Sequence, residues 1–131
     1  MSENFKHNEI TSLIIKAFYV VYNILGYGFL EKVYQNAMLL ELRKSGLDAV
    51  SQIPLKVYYG GTEVGNYFAD IIVNKCVIIE LKAGEGFVEE HEAQLINYLR
   101  ATDIEVGLLI NFGVKPQFKR KVFSNKFKTL E

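Results

Sequence analysis

The stretch Phe68-Ala69-Asp70-Ile71-Ile72-Val73-Asn74-Lys75-Cys76-Val77-Ile78-Ile79-Glu80-Leu81-Lys82 decides the fold. It reads as two short apolar strands joined by a tight turn, with three charges set into them: Asp70 in the first, Glu80 and Lys82 in the second. Side chains alternate along a strand, so Glu80 and Lys82 share a face. Val77, Ile78, Ile79 and Leu81 surround them, which makes the second strand buried on at least one side. Charged groups are costly there unless they pair or hold a metal. One reading is a buried ion pair between Lys82 and Glu80 or Asp70; the other is a functional site. Turn length decides where Asp70 points. If Asn74 and Lys75 alone form the turn, residue 70 pairs with residue 79, and Asp70 and Glu80 face opposite ways. A three-residue turn, 74 to 76, sets Asp70 opposite Glu80 on one face.

Working outward, Val64–Val73 and Cys76–Lys82 are expected strands. Val50–Tyr59 is a third, and Pro54 makes it an edge strand or interrupts it. Gly60-Gly61 supplies the turn between, so the three form an antiparallel meander. On the N-terminal side, Ile10, Leu13, Ile14, Ala17, Val21, Ile24 and Leu25 recur at helical spacing, with Asn8 as the expected cap. A second helix is expected over about 29 to 45, with Leu30, Val33, Tyr34, Ala37 and Met38 on its apolar side. Glu31 falls in its first turn, where the helix dipole favours a carboxylate. The ordinary role of Tyr34 is a core or boundary aromatic.

On the C-terminal side a helix is expected over about 88 to 101. Leu95, Ile96 and Leu99 give its buried side; His91, Gln94 and Tyr98 line a polar-aromatic stripe. His91 and Gln94 read first as surface residues. Ile104–Phe112 is an apolar run expected as a buried strand, and after a helix it fits a parallel crossover. Lys115, Lys119, Arg120, Lys121, Lys126 and Lys128 then alternate with Phe118, Phe123 and Phe127. This basic 114–131 segment is expected to be an amphipathic C-terminal helix; Lys119, Arg120 and Lys121 are the candidates for phosphate contact. The expected architecture is α/β (α+β): a mixed four-stranded sheet with flanking helices in the order ααβββαβ, plus the C-terminal helix.

Composition narrows the rest. The 131 residues suit one domain, 1–131, and half are hydrophobic, enough for a sizeable core. Lys plus Arg equal Asp plus Glu at 15 each, which excludes a strongly basic nucleic-acid coat but not local patches. No membrane span is expected, since no apolar run approaches about 18 residues. The first residues lack the layout of a secretion signal. Cys76 is the only cysteine, so no internal disulfide forms, in keeping with a cytoplasmic protein.

Asp70 followed by Glu80-x-Lys82 on the next strand resembles the PD-(D/E)XK nuclease superfamily, whose restriction-endonuclease-like core runs helix, three strands, helix, strand. More narrowly the chain looks like the GxxExxY proteins, a bacterial and archaeal branch. The naming motif stands as Gly28-Phe29-Leu30-Glu31-Lys32-Val33-Tyr34. Further similar blocks are Gln52–Tyr59, Phe68–Val73, Ile79–Ala83, His91–Leu99 and Gly107–Gly113, so the likeness covers roughly residues 9 to 123. Tyr22 and Gly26-Tyr27-Gly28 stand where that family often has a histidine and Gly-Pro-Gly.

The resemblance implies a metal-dependent nuclease that hydrolyses phosphodiester bonds, with DNA the expected substrate. Asp70, Glu80 and the Leu81 carbonyl would hold Mg²⁺ or Mn²⁺, with Glu31 completing the acidic shell. Lys82 would orient or help deprotonate water, or offset charge in the transition state. Gln94 would position a water or phosphate oxygen, with Tyr34, His91 and Tyr98 in support. A net-neutral domain of this size has little surface for a long duplex, so a homodimer or a protein partner is also expected. The alternative is a non-catalytic nucleic-acid- or protein-binding module that keeps the nuclease fold.

Overall fold

A computed structural model of the protein describes residues 6–129. The start of the stretch read for a secretion signal, Met1–Phe5, and the last two residues of the basic segment lie outside it. Two helices come first, α1 (Asn8–Leu25) and α2 (Glu31–Lys44). The meander follows: β1 (Ala49–Tyr59), β2 (Thr62–Val73) and β3 (Val77–Lys82). Then come α3 (Glu89–Arg100), β4 (Val106–Phe112) and β5 (Pro116–Val122), with a 3₁₀ turn at Asn125–Phe127. Asn8 does not cap α1. It is the first helical residue, His7 precedes it at φ 55°, and no side chain caps this end.

The five strands make one mixed sheet in the order β1-β2-β3-β4-β5. The meander is antiparallel, β3 and β4 run parallel, and β4 and β5 are antiparallel. The expected four-stranded sheet and C-terminal helix are therefore corrected. Residues 116–122 form a fifth strand, because β4 is buried at all seven positions and its far edge would otherwise leave backbone groups unpaired. Tertiary pairing overrides the helical spacing of Phe123 and Phe127. Phe123 instead packs against the core beneath α3, and Phe127 is exposed. β1 is the opposite edge strand, where Pro54 costs no ladder bond that the sheet needs.

Helices cover both faces. Against one face α1 and α2 bury Phe18, Tyr34, Met38 and Leu42 on Ile71, Val73, Ile79, Leu81 and Phe112. Against the other α3 buries Leu95, Tyr98 and Leu99 on Ile72, Ile78 and Leu109. Gly107 explains itself here: a Cβ at that position would stand 2.7 Å from Leu95 Cδ1, so the glycine lets α3 sit close on β4. Among the described residues no helix is long and apolar enough to cross a membrane.

Candidate functional site

The turn between β2 and β3 has three residues, and Val73 faces Val77, Ile72 faces Ile78 and Ile71 faces Ile79. Asn74 and Lys75 take positive φ of 50° and 58°, and Cys76 N–H closes the turn on the Val73 carbonyl at 3.0 Å. This is the odd-numbered alternative, and it brings Asp70 and Glu80 together. Beyond Ile71 and Ile79 the two strands part. β2 stays with β1, while β3 follows β4 as far as Lys82 beside Asn111. At this fork the carboxylates take over the ladder's work. Asp70 N–H donates to Glu80 Oε2 at 2.9 Å, and Leu81 N–H donates to Asp70 Oδ2 at 2.8 Å.

The backbone also inverts here. Ala69 packs beneath α3, whereas Ile71, two residues on, packs beneath α1 and α2. Strict alternation would keep them on one face. Across from Asp70, Gln52 has φ 54° and falls between the bridged pairs Ser51–Ile71 and Ile53–Ala69. Such an irregularity re-aims a side chain, as bulges near functional sites do. The Gln52 side chain donates to Gln35 Oε1 at 2.8 Å, which ties the distorted strand to α2.

Glu80 is 4% exposed. Burial first, and the neighbouring Asp70 charge second, push its carboxyl up to about 8. Asp70 is raised as well, chiefly by burial, against the lowering effect of its Leu81 N–H bond and of Lys82. Lys82 acts on both carboxylates through its charge, yet among the described residues it lies within 4.0 Å of neither as an ion pair. The buried ion pair foreseen as the plainer reading is therefore not formed. Glu31, the first residue of α2, also raises both carboxyls by its charge. Each of Asp70 and Glu80 commits one oxygen to a backbone N–H and leaves the other without a hydrogen bond among the described residues. Two hard oxygen donors bearing incompletely offset negative charge fit a divalent cation. They do so as a pair: no three His, Cys, Asp or Glu of the described residues form a ready-made ligand cluster.

α3 closes the site from its own side. Gln94 Nε2 donates to Tyr98 Oη at 2.6 Å, and burial, then the charge of Glu80, raise the Tyr98 phenol. His91 turns elsewhere, its Nδ1 accepting from Val88 N–H at 3.3 Å at the start of α3. Tyr34 is buried and positions Glu31 indirectly. Its hydroxyl donates to the Gly26 carbonyl at 2.7 Å and accepts from Phe29 N–H at 3.2 Å, pinning the loop that leads into α2. Its ring stacks on Phe112 at 4.1 Å. The basic strand β5 is away from the acidic pair in its contacts. Lys119 and Lys121 both bridge Glu92, at 2.7 and 2.6 Å, and Arg120 donates to the Lys6 carbonyl.

Sequence reading missed Asn111. Its fully buried amide accepts from Gly84 N–H and donates to the Gly84 carbonyl, both at 3.0 Å, locking the chain just past Lys82. A lone amide inside the apolar run 106–112 was the available signal.

The profile of the PD-(D/E)XK nuclease superfamily matches residues 8–121. The chain belongs to that superfamily. No curated protein matches it. Among solved structures, that of SSO0001 superposes with a TM-score of 0.58 at 19% identity, over 93% of this chain and 62% of that one. At that identity the likeness speaks for the fold alone, and this chain spans under two thirds of the SSO0001 chain. Membership of that superfamily accords with the mixed sheet and its helices on both faces.

Proposed function

We propose that the protein is a divalent-metal-dependent nuclease acting on nucleic acid, with DNA the preferred substrate and Mg²⁺ or Mn²⁺ the cofactor. The observation that carries this is the Asp70–Glu80 pair, Glu80 buried and Asp70 half-buried, held together at a fork, with Lys82 near but not paired to either. Asp70 and Glu80, with the Leu81 carbonyl, would hold the ion, and Glu31 would add charge to its outer shell. A bound divalent ion supplies Lewis-acid stabilisation and an acidified water. Lys82, free of a carboxylate partner, orients the attacking water and offsets charge as oxygen adds to phosphorus and the P–O bond breaks. Gln94, fixed by Tyr98, positions a water or phosphate oxygen. The motif Gly28–Tyr34 supports assignment to the GxxExxY branch, a single domain and a cytoplasmic setting fit the composition, and a homodimer or partner protein would widen the substrate surface.

The test is Mg²⁺ and Mn²⁺ titration by calorimetry on wild type and Glu80→Ala, with cleavage of single-stranded, duplex and flapped DNA followed on the same samples. Binding lost in Glu80→Ala, and cleavage lost in Lys82→Ala, are expected. No binding at millimolar ion and no cleavage would leave a superfamily fold used as a non-catalytic binding module.

A further inference from the structure

Beside the acidic pair lies a cleft of about 490 Å³ between β1–β2 and α3. That volume is within the range of small-molecule sites. One face of α3 lines it with Glu90, Gln94, Asn97 and Arg100, and Tyr67 from β2 stands opposite. The Tyr67 and Tyr98 rings meet at 5.7 Å and a tilt of 44°, forming an open aromatic corner. Tyr67 keeps 50% of its surface exposed, an aromatic face without a full set of neighbours. Gly65 helps keep the corner open, since a Cβ there would stand 3.3 Å from the Tyr67 ring.

We propose that this cleft receives one unpaired nucleobase of the substrate strand, stacked in the Tyr67–Tyr98 corner while its sugar-phosphate runs to Asp70 and Glu80. The inference rests on the nuclease reading and deepens it. Three features select this occupant. Tyr98 lines the cleft and lies within reach of the charges of Glu80 and Asp70, with Gln94 bonded to it, so an occupant would lie next to the acidic pair. Tyr67 is three residues from Asp70 along β2, about 10 Å of strand, so a base at Tyr67 and the acidic pair lie on one short stretch of the same strand. The walls pair aromatic surface with amides: Gln94 Oε1 is left free once Nε2 bonds Tyr98, and Asn97 is exposed beside it, so both face the hydrogen-bonding edge of a base. Arg100, at the far end, suits a phosphate of the same strand. A base still paired within a duplex cannot enter, so the cleft selects single strands, flaps or extruded bases.

The test is fluorescence anisotropy in EDTA, so that binding is read apart from metal and cleavage. The probes are a short labelled oligothymidine strand, the same strand with one abasic position, and a blunt duplex. Stacking of one base predicts that Tyr67→Ala weakens the single strand by about ten- to a hundredfold. Tyr67→Phe restores binding, the duplex is unaffected, and an abasic position matching the cleft costs nothing further in Tyr67→Ala. Equal single-strand affinity for wild type, Tyr67→Ala and Asn97→Ala would overturn the proposal. Tyr67-dependent binding with no Mg²⁺-dependent cleavage would uphold the base cleft and sink the nuclease reading.

Discussion

Replacing Glu80 by Gln tests the electrostatics of the site without any substrate. In the unfolded chain this carboxyl has the ordinary value of 4.5, and in the folded protein it is pushed up to about 8. The folded state therefore holds more protons than the unfolded state between those values, and stability falls as pH rises through the window. Below 4.5 the contribution is fully present; above 8 it is gone. At pH 7 the gap from 4.5 is 2.5 units, which at about 1.4 kcal/mol per unit is a loss of about 3 kcal/mol. Asp70 is shifted the same way, while Lys82 opposes and Glu31 adds to the effect. Gln keeps an oxygen able to accept Asp70 N–H, so the fork's hydrogen bond survives. The expected outcome, read by circular-dichroism melts in EDTA at pH 5.5, 7 and 8.5, is a wild-type melting temperature that falls by about 6–8 °C between pH 5.5 and 7, where about 2 of those kcal/mol are lost. The Glu80→Gln temperature falls less, keeping only the Asp70 contribution, and is higher than wild type at pH 8.5. Mg²⁺ restores the wild type at pH 8.5 and leaves Glu80→Gln where it was. Equal slopes for the two proteins would refute the idea that Glu80 is held against its charge.

Lys82→Met is expected to keep the wild-type stability within about 1 kcal/mol, because no buried ion pair is broken, while DNA cleavage falls by about a hundredfold or more in a timed gel assay. Tyr34→Phe removes the hydroxyl that joins Gly26 and Phe29, and urea unfolding should show a loss of about 1–2 kcal/mol together with weaker Mg²⁺ binding by calorimetry. Gly107→Ala drives a methyl into Leu95 and should cost about 1–3 kcal/mol in the same urea experiment. Glu92→Gln frees Lys119 and Lys121, and single-strand affinity in low salt should rise with a steeper salt dependence, with the melting temperature unchanged.

Periodicity carried most of the architecture. The runs around Ile14, Met38 and Leu95 marked three helices, and the apolar stretch ending at Phe112 marked a buried parallel strand. The tail was harder, because 116–122 becomes a strand by pairing with an edge that only exists once β4 is in place. Asp70, Glu80 and Lys82 were legible as charges in apolar strands. Their arrangement was not, since it hangs on whether Cys76 belongs to the turn and on the inversion at Gln52 and Asp70. Neither follows from local propensity: Gln52 has no composition that announces a positive φ. The Asn111 lock and the Tyr67–Tyr98 corner depend on contacts between distant elements, which a single sequence does not display.

The fork at Ile71 and Ile79 also bears on the order in which the molecule forms. Asp70 and Glu80 are ten residues apart in the chain and meet by closing one short turn. Such a loop closes with little entropic cost, within about microseconds. The parallel register of β3 and β4, by contrast, waits for the whole α3 crossover, a pairing of high sequence separation. When the hairpin first closes, water still reaches both carboxylates. The layer formed by Leu95, Tyr98 and Leu99 of α3 on this face is complete only once that crossover is made. We therefore expect alkaline solution to slow the completion of that layer and leave hairpin closure untouched, which stopped-flow refolding at pH 5.5 and 8.5 would read.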